Sequence, residues 1–338
     1  NIYSRFSNPN TSEFIDKICQ MEGAEDGVTF SSGMGAVFGT FASLLNAGDH
    51  IISSRSVFGS THSLFTKYFP KWHINTSYFN IDQIDQIEKL IQKKTKCIYV
   101  ESPTNPGVEI LDLEFLSKIA EKYNLLFIVD NCFATPYLQN PIQYGADLVI
   151  HSATKLIDGQ GRVLGGIVVG KKEFIREIYL FSRNTGNTLS PFNAWVLSKS
   201  LETLAVRIER HCSSALEISK KLEKVDQISW VKYPFLTSHP QYELAKKQMK
   251  FGGNIISFEL KGGLSAGYDF INKIKLCSLS SNLGDTRTII THPASTTHSK
   301  LSSEDRFKVG ISEGMIRLSI GLEHPKDIWA DLKQAINI

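Results

Sequence analysis

Two stretches decide the fold: Leu125-Leu-Phe-Ile-Val-Asp130, and Asp147-Leu-Val-Ile-His-Ser-Ala-Thr-Lys155. Each carries a short apolar run and then turns abruptly to polar chemistry. An unbroken apolar run of this length reads as a strand covered on both faces, whereas a strand with one wet face would alternate. Working outward, similar runs recur at residues 50–53, 74–78, Cys97-Ile-Tyr-Val-Glu101 and Gly166-Ile-Val-Val-Gly170. Helix-period segments lie between them. Residues 32–47 open on Ser32, an N-cap type, place Val37, Phe38, Phe41, Leu44 and Leu45 on one side, and stop at Gly48. Residues 60–69, the series Ile81, Ile84, Ile87 and Ile91, and the set Leu113, Leu116, Ile119 and Ala120 mark further helices. This alternation predicts an α/β domain built on a large, mainly parallel sheet. Downstream the pattern changes to a long helical region at 191–222 and strands at 230–233, 255–260 and 316–320. Helices at 241–249, 264–274 and 326–336 complete a smaller C-terminal α+β domain. The expected division is an N-terminal segment 1–25, a large domain 26–215 and a C-terminal domain 216–338.

The 338 residues carry 37 Lys+Arg against 34 Asp+Glu, a net charge of +3. So weak a balance argues against a nucleic acid or an anionic membrane as partner. No stretch approaches the ~18 apolar residues of a membrane span. Cys19, Cys97, Cys132, Cys212 and Cys277 are scattered, with no C-x-x-C pair, which argues against a disulfide scaffold or zinc ribbon and suits a reducing cytoplasm. Among the His residues there is no H-E-x-x-H, and His292 and His298 are spaced off one helical face, so no metal site is expected. Gly33-Met-Gly35-Ala-Val-Phe-Gly39 approaches a dinucleotide fingerprint, but its third glycine comes one residue late. Gly165-Gly-Ile-Val-Val-Gly170-Lys171-Lys172 misses a phosphate-binding P-loop at its last position and reads as a strand. The opening Asn1-Ile-Tyr-Ser-Arg5 reads as the middle of a longer chain.

Three segments at strand ends carry the chemistry. Ser31-Ser32-Gly33-Met34 precedes a helix, whose free N–H groups can hold a phosphate that glycine lets approach closely. Asp130 ends a buried strand, where α/β folds bind their ligands. Lys155 follows another, with Ser152 and Thr154 able to offer hydroxyls to one anion. Taken singly, these are an ordinary N-cap, a turn Asp and a solvated loop lysine. Together they are the parts of a pyridoxal-phosphate site: an imine-forming amine, an acid for the pyridine nitrogen and a phosphate cradle.

On these residues the sequence resembles the Cys/Met metabolism pyridoxal-phosphate-dependent family. The matching motifs are Tyr3-Ser-Arg5, Ser32-Gly-Met-Gly-Ala36, Glu101-Ser-Pro-Thr-Asn-Pro106, Val129-Asp-Asn131, His151-Ser-Ala-Thr-Lys155, Gly284-Asp285, His292-Pro-Ala294 and Ile316-Arg-Leu-Ser-Ile-Gly-Leu-Glu323. Four others are similar to the O-succinylhomoserine sulfhydrylase subgroup: Ser54-Arg-Ser-Val-Phe-Gly-Ser-Thr61, Asp158-Gly-Gln-Gly-Arg162, Leu189-Ser-Pro-Phe-Asn-Ala-Trp195 and Ser281-Asn-Leu-Gly-Asp-Thr286. The resemblance implies a fold type I, aspartate-aminotransferase-like enzyme. Lys155 would hold pyridoxal 5'-phosphate covalently, and Asp130 would pair with the pyridinium nitrogen. Gly33, Met34, Ser152 and Thr154 would bind the phosphate, and Asn105 would contact the ring hydroxyl. Tyr3 and Arg5 would reach the phosphate of a neighbouring subunit, making a dimer the minimum active unit and a tetramer the expected assembly. Arg317 would clamp the substrate α-carboxylate, with Asn282 as a further substrate contact. A missing N-terminal arm ahead of Tyr3 would bear on that assembly.

Three departures bear on substrate. Phe58 stands where most of the family has a stacking Tyr, keeping the aromatic face without the hydroxyl. That suits a carboxylate leaving group, which needs no acid. Ser60 stands where methionine γ-lyases typically carry Cys. Arg287 stands where cystathionine-handling members usually have Glu, and an Arg there would favour a distal carboxylate. The implied reaction is sulfide-dependent γ-replacement on an O-acylhomoserine, O-succinylhomoserine above all, giving homocysteine in methionine biosynthesis. Lys155 would move the substrate protons. Cystathionine γ-synthase, O-acetylhomoserine sulfhydrylase and γ-lyase activity remain alternatives on the same site. A non-catalytic binding protein on this fold, and a nicotinamide oxidoreductase resting on the imperfect glycine pattern, are the alternatives of other classes.

Overall fold

The computed structural model describes residues 2–296, 304, 306 and 310–337. His298 lies outside them. The chain forms two compact units, Asn1–Pro103 with Leu111–Thr203, and Thr104–Ile110 with Leu204–Ile338.

The first unit contains α1 (Pro9–Glu22), β1 (Asp26–Phe30), α2 (Gly33–Leu44), β2 (His50–Ser54), α3 (Gly59–Ser63), β3 (Asn75–Phe79), β4 (Thr95–Glu101), α4 (Leu113–Lys122), β5 (Leu126–Asp130), α5 (Thr135–Leu138), β6 (Leu148–Ser152), β7 (Gly166–Gly170), α6 (Lys172–Thr185) and α7 (Pro191–Leu201). Its seven-stranded sheet has the order β1-β7-β6-β5-β4-β2-β3. The pairs β2–β3, β2–β4, β4–β5 and β5–β6 are parallel, while β7 runs antiparallel to both β6 and β1. The sheet is therefore mainly parallel, as the apolar runs imply. α2 packs on it through Phe41, which meets the rings of Phe65 and Tyr99 edge-on.

The structure differs from the periodicity reading in several places. The Ile81 series falls in Ile81–Leu90, two short 3-10 pieces that meet at a kink at Gln83, with Ile91 extended beyond their end. Residues 60–69 begin as α3 and continue as a π turn, Leu64–Tyr68, and a 3-10 turn, Phe69–Trp72. The long helical region breaks after α7, where Glu202 N–H and Thr203 N–H bond the Lys199 and Ser200 carbonyls and close the helix tightly. The next helix, α8 (Leu204–Leu222), belongs to the second unit, so the expected boundary at 215 falls inside a helix.

The second unit adds β8 (Ile228–Lys232), α9 (Tyr242–Gln248), β9 (Ile255–Leu260), α10 (Gly263–Lys273), β10 (Ser278–Leu279), β11 (Ile289–Thr291), β12 (Met315–Ser319) and α11 (Pro325–Ile336). Its five strands run in the order β10-β11-β12-β9-β8. Ile218, Leu222, Phe258, Phe270, Leu318, Ile328 and Leu332 form the centre of its core. Asp331 on α11 ties down the strand approach, accepting bonds from the N–H groups of Lys275, Leu276 and Cys277 at 2.9, 2.8 and 2.9 Å. Burial opposes its charge, yet these three donors prevail and hold the carboxyl below its usual range. Asp331→Ala is expected to cost about 1–3 kcal/mol of stability near neutral pH, read as a lowered Tm. The group's folded pKa is depressed, so its contribution is present above the unfolded carboxylate range and disappears as pH falls through the folded value. The Tm gap between wild type and variant should therefore narrow as pH falls below the ordinary carboxylate range. Among the described residues no helix is long and apolar enough to cross a membrane.

Candidate active site

The first unit gathers its candidate residues at the C-terminal ends of β4, β5 and β6, the edge where parallel sheets bind ligands. β1 ends at Phe30, and Ser32 caps α2 by accepting a bond from Gly35 N–H at 3.0 Å. Ala36 N–H bonds the Ser32 carbonyl. The N–H groups of Gly33 and Met34 have no acceptor within the helix and remain for an external anion. A Cβ on Gly33 would lie 2.5 Å from Ser152 Cβ and 2.7 Å from its Oγ, so glycine is what brings the first turn of α2 against the end of β6. A Cβ on Gly166 would likewise lie 2.1 Å from the Ser32 carbonyl oxygen. Gly33, Met34 and Ser152 thus line one cradle. Thr154 is adjacent, but its hydroxyl is engaged with Gly165, donating to the carbonyl at 3.2 Å and accepting from the N–H at 3.1 Å.

Beside the cradle sit two carboxyls. The parallel register of β4 and β5 pairs Glu101 with Asp130. Asp130 accepts from Tyr99 Oη at 3.3 Å and from Cys132 N–H at 3.0 Å. Burial pushes it up to about 6. Glu101 goes well above the carboxylate range, through burial and the neighbouring Asp130 charge. Both carboxyls are thus held up, Glu101 the more strongly. Glu101 Oε1 accepts from Phe58 N–H at 2.6 Å, fixing the backbone from which the Phe58 ring, 45% exposed, projects. Thr61 Oγ1 meets Met34 Sδ at 3.7 Å, joining that segment to α2. Lys155 follows β6 in a tight turn held by Lys155 N–H on the Ser152 carbonyl and Gly159 N–H on the Lys155 carbonyl. Burial drives the Cys132 thiol up, and the Lys155 charge opposes that shift.

These residues fit pyridoxal phosphate. The cradle that a Cβ would fill offers free N–H groups to a phosphate. Asp130 has no ion pair among the described residues, and a protonated ring nitrogen would relieve the charge that burial disfavours there. Lys155 supplies the amine. Tyr3 and Arg5 are not part of this cluster within one chain. The Arg5 guanidinium lies 5.2 Å from the Tyr3 ring centroid and 4.8 Å from that of Phe6, and donates to the Arg183 carbonyl.

The second unit holds the remaining candidates. Arg317 on β12 is 5% exposed, and burial lowers it to about 10. It donates to Asn105 Oδ1, to the Ser281 and Asn282 carbonyls, each at 3.0 Å, and to Thr291 Oγ1 at 3.3 Å, while Nε has no partner. Among the described residues no carboxylate pairs with it. A buried cation lacking a counter-charge is built to receive an anion. Asn105, expected at the cofactor ring, here turns its side-chain oxygen to Arg317. Arg287 forks onto Asp285, Nε to Oδ1 at 3.2 Å and Nη2 to Oδ2 at 2.8 Å, with its side chain 64% exposed. Burial opposes the Asp285 charge, but the Arg287 bonds prevail and hold its carboxyl low. Sequence reasoning gave no role to Glu101 or Tyr99. An acid ending an otherwise apolar strand was the available signal for Glu101.

The chain is 47% identical over 336 residues to an O-succinylhomoserine sulfhydrylase of Pseudomonas aeruginosa, covering 99% of this chain and 83% of that protein. It is 44% identical over 338 residues to an L-methionine gamma-lyase of Fusobacterium nucleatum, covering 99% and 86%. The crystal structure of metB from Corynebacterium glutamicum superposes with a TM-score of 0.95 at 37% identity, covering 99% of this chain and 86% of that one. The family profile for Cys/Met metabolism PLP-dependent enzymes matches residues 1–337, and with it the chain belongs to that family, a fold type I enzyme whose cofactor is pyridoxal 5'-phosphate.

Proposed function

We propose that the enzyme exchanges the γ-acyloxy group of an O-acylhomoserine, O-succinylhomoserine above all, for sulfide, giving homocysteine and the free acid in methionine biosynthesis. The observation that carries this reading is Phe58: its ring projects from a backbone anchored on Glu101 and has no hydroxyl to protonate a leaving group. A carboxylate, the conjugate base of an acid of pKa ~4, departs unaided, whereas a thiolate benefits from an acid. Bound pyridoxal phosphate supplies an electron sink for charge developing at the substrate's Cα. Lys155 holds the cofactor and, once released by the substrate amine, carries protons between substrate carbons. Asp130 keeps a proton at the ring nitrogen, and Gly33, Met34 and Ser152 hold the phosphate. Thr154 joins them by turning its hydroxyl from Gly165. Arg317 takes the α-carboxylate, between Asn105 and the Asn282 backbone. Tyr3 and Arg5 complete the cradle of a neighbouring subunit, so the active form is a homodimer at least, assembled as a cytoplasmic homotetramer.

Arg287 gives the preference for a succinyl ester. Asp285 orients its guanidinium and leaves further N–H donors toward solvent, where a distal carboxylate can meet them. Arg287→Ala is expected to raise KM for the succinyl ester roughly fivefold and leave the acetyl ester unchanged. Equal effects on both esters would remove this role. Phe58→Tyr should gain cystathionine cleavage by roughly tenfold or more; no gain counts against the leaving-group argument. A second reading, methionine γ-elimination, is favoured by the 44% identity to L-methionine gamma-lyases. Turnover of succinyl and acetyl homoserine esters with sulfide and with cysteine, beside methionine alone, decides between them. The proposal requires the succinyl ester with sulfide to give the highest kcat/KM.

A further inference from the structure

We infer that Glu22 and His151 form a buried ion pair that supports Asp130 from behind and keeps it ionised toward the cofactor's ring nitrogen. Both are positioning residues, acting through Asp130. Glu22 is the last residue of α1 and is fully buried, as is His151. Glu22 Oε1 accepts from His151 Nε2 at 2.6 Å and from Asn131 Nδ2 at 3.0 Å. Asn131 immediately follows Asp130. It is locked further by Gln139, whose Nε2 donates to Asn131 Oδ1 at 2.9 Å and to the Ser102 carbonyl at 2.7 Å. The register of β5 and β6 sets Asp130 opposite Ile150, and Asn131 N–H bonds the Ile150 carbonyl. His151, the next residue of β6, therefore turns its side chain to the face of the sheet opposite Asp130, where α1 brings Glu22.

A carboxylate at the buried C-terminal end of a helix faces the negative pole of the helix dipole and loses its hydration, so a purely structural α1 would place an apolar residue there. Glu22 Oε2 and His151 Nδ1 are both buried without a hydrogen-bond partner, a cost that stability alone does not explain. Burying the Glu22 charge calls for a proton on His151, and the resulting imidazolium acts on Asp130 through the sheet from its opposite face. Its charge favours the ionised form of Asp130 against the burial that raises it. The other groups facing Asp130 do not replace it. Tyr99 and Glu101 on β4 and the Cys132 thiol are all shifted toward their neutral forms, chiefly by burial. Lys155, the remaining cation, is used in holding the cofactor. Without the imidazolium, Asp130 would draw the proton from the ring nitrogen and weaken the electron sink.

This inference rests on the proposed placement of Asp130 at that nitrogen. The test is nitrogen NMR of the holoenzyme reconstituted with ring-15N pyridoxal phosphate, beside steady-state kinetics. Wild type should show a protonated ring nitrogen. Glu22→Gln and His151→Gln should each move the signal toward that of a neutral pyridine and lower kcat roughly tenfold, with KM within about twofold. Asp130→Asn tests the placement separately: an unmoved signal in that variant removes the foundation. If Asp130→Asn moves the signal while both other variants leave it in place, the relay is overturned and the placement stands, even where their Tm falls. Should neither relay variant fold, histidine NMR of wild type decides. His151 must carry protons on both nitrogens in the folded holoenzyme; a neutral ring overturns the inference.

Discussion

Lys155→Ala is expected to leave no visible cofactor absorbance after dialysis and to cut turnover at least ~10²–10⁴-fold, the scale of a lost general acid–base. The variant should keep its fold. The turn that presents Lys155 is held by backbone bonds to Ser152 and Gly159, which alanine retains. The cradle of Gly33, Met34 and Ser152 is also untouched, so phosphate-directed, non-covalent uptake of the cofactor should survive and be reversed by dialysis. A circular-dichroism melt beside an absorbance spectrum checks both halves. Persistent absorbance after dialysis would show that another amine holds the cofactor.

Arg317→Met is expected to separate binding from stability. The guanidinium is buried, without an ion pair among the described residues, and its Nε has no partner. Removing one partner of a buried charge pair costs about 2–5 kcal/mol, so kcat/KM for the homoserine ester should fall roughly 10²–10³-fold, mostly through KM. Stability should change far less. Losing donors to Asn105, Ser281, Asn282 and Thr291 is destabilising, but removing a desolvated, unpaired cation is stabilising, and methionine keeps the apolar stem. A fall in Tm with unchanged KM would make Arg317 a structural residue.

Much of the fold was legible because short apolar runs report burial on both faces. β4, β5, β6 and β9 fall where those runs lie. α1 was missed because its residues are mostly polar and one buried position is Glu22, although Asn8-Pro9 before it and Gly23 after it were start and stop signals. α6 was missed despite Ile175 and Ile178 on one face. The direction of β7 was not readable, since the run Gly166-Ile-Val-Val-Gly170 looks the same in a parallel or an antiparallel pairing. The Ile81 series did not disclose its helix type, since spacings of three, three and four also fit one face of an α-helix.

The sequence by itself determined the strand runs, the glycine-opened helix after β1, and the placing of Asp130 and Lys155 just beyond apolar strands. These are local properties, written in residues near one another. Only the tertiary structure decided which groups share a charge environment. It set Glu101 beside Asp130 through the β4–β5 register, turned Arg287 onto Asp285, left Arg317 without a carboxylate among the described residues, and buried Glu22 against His151 across 129 residues of chain. Strand order and side-chain packing make those choices, and a charged residue in a sequence reads as exposed until the fold shows what desolvates it.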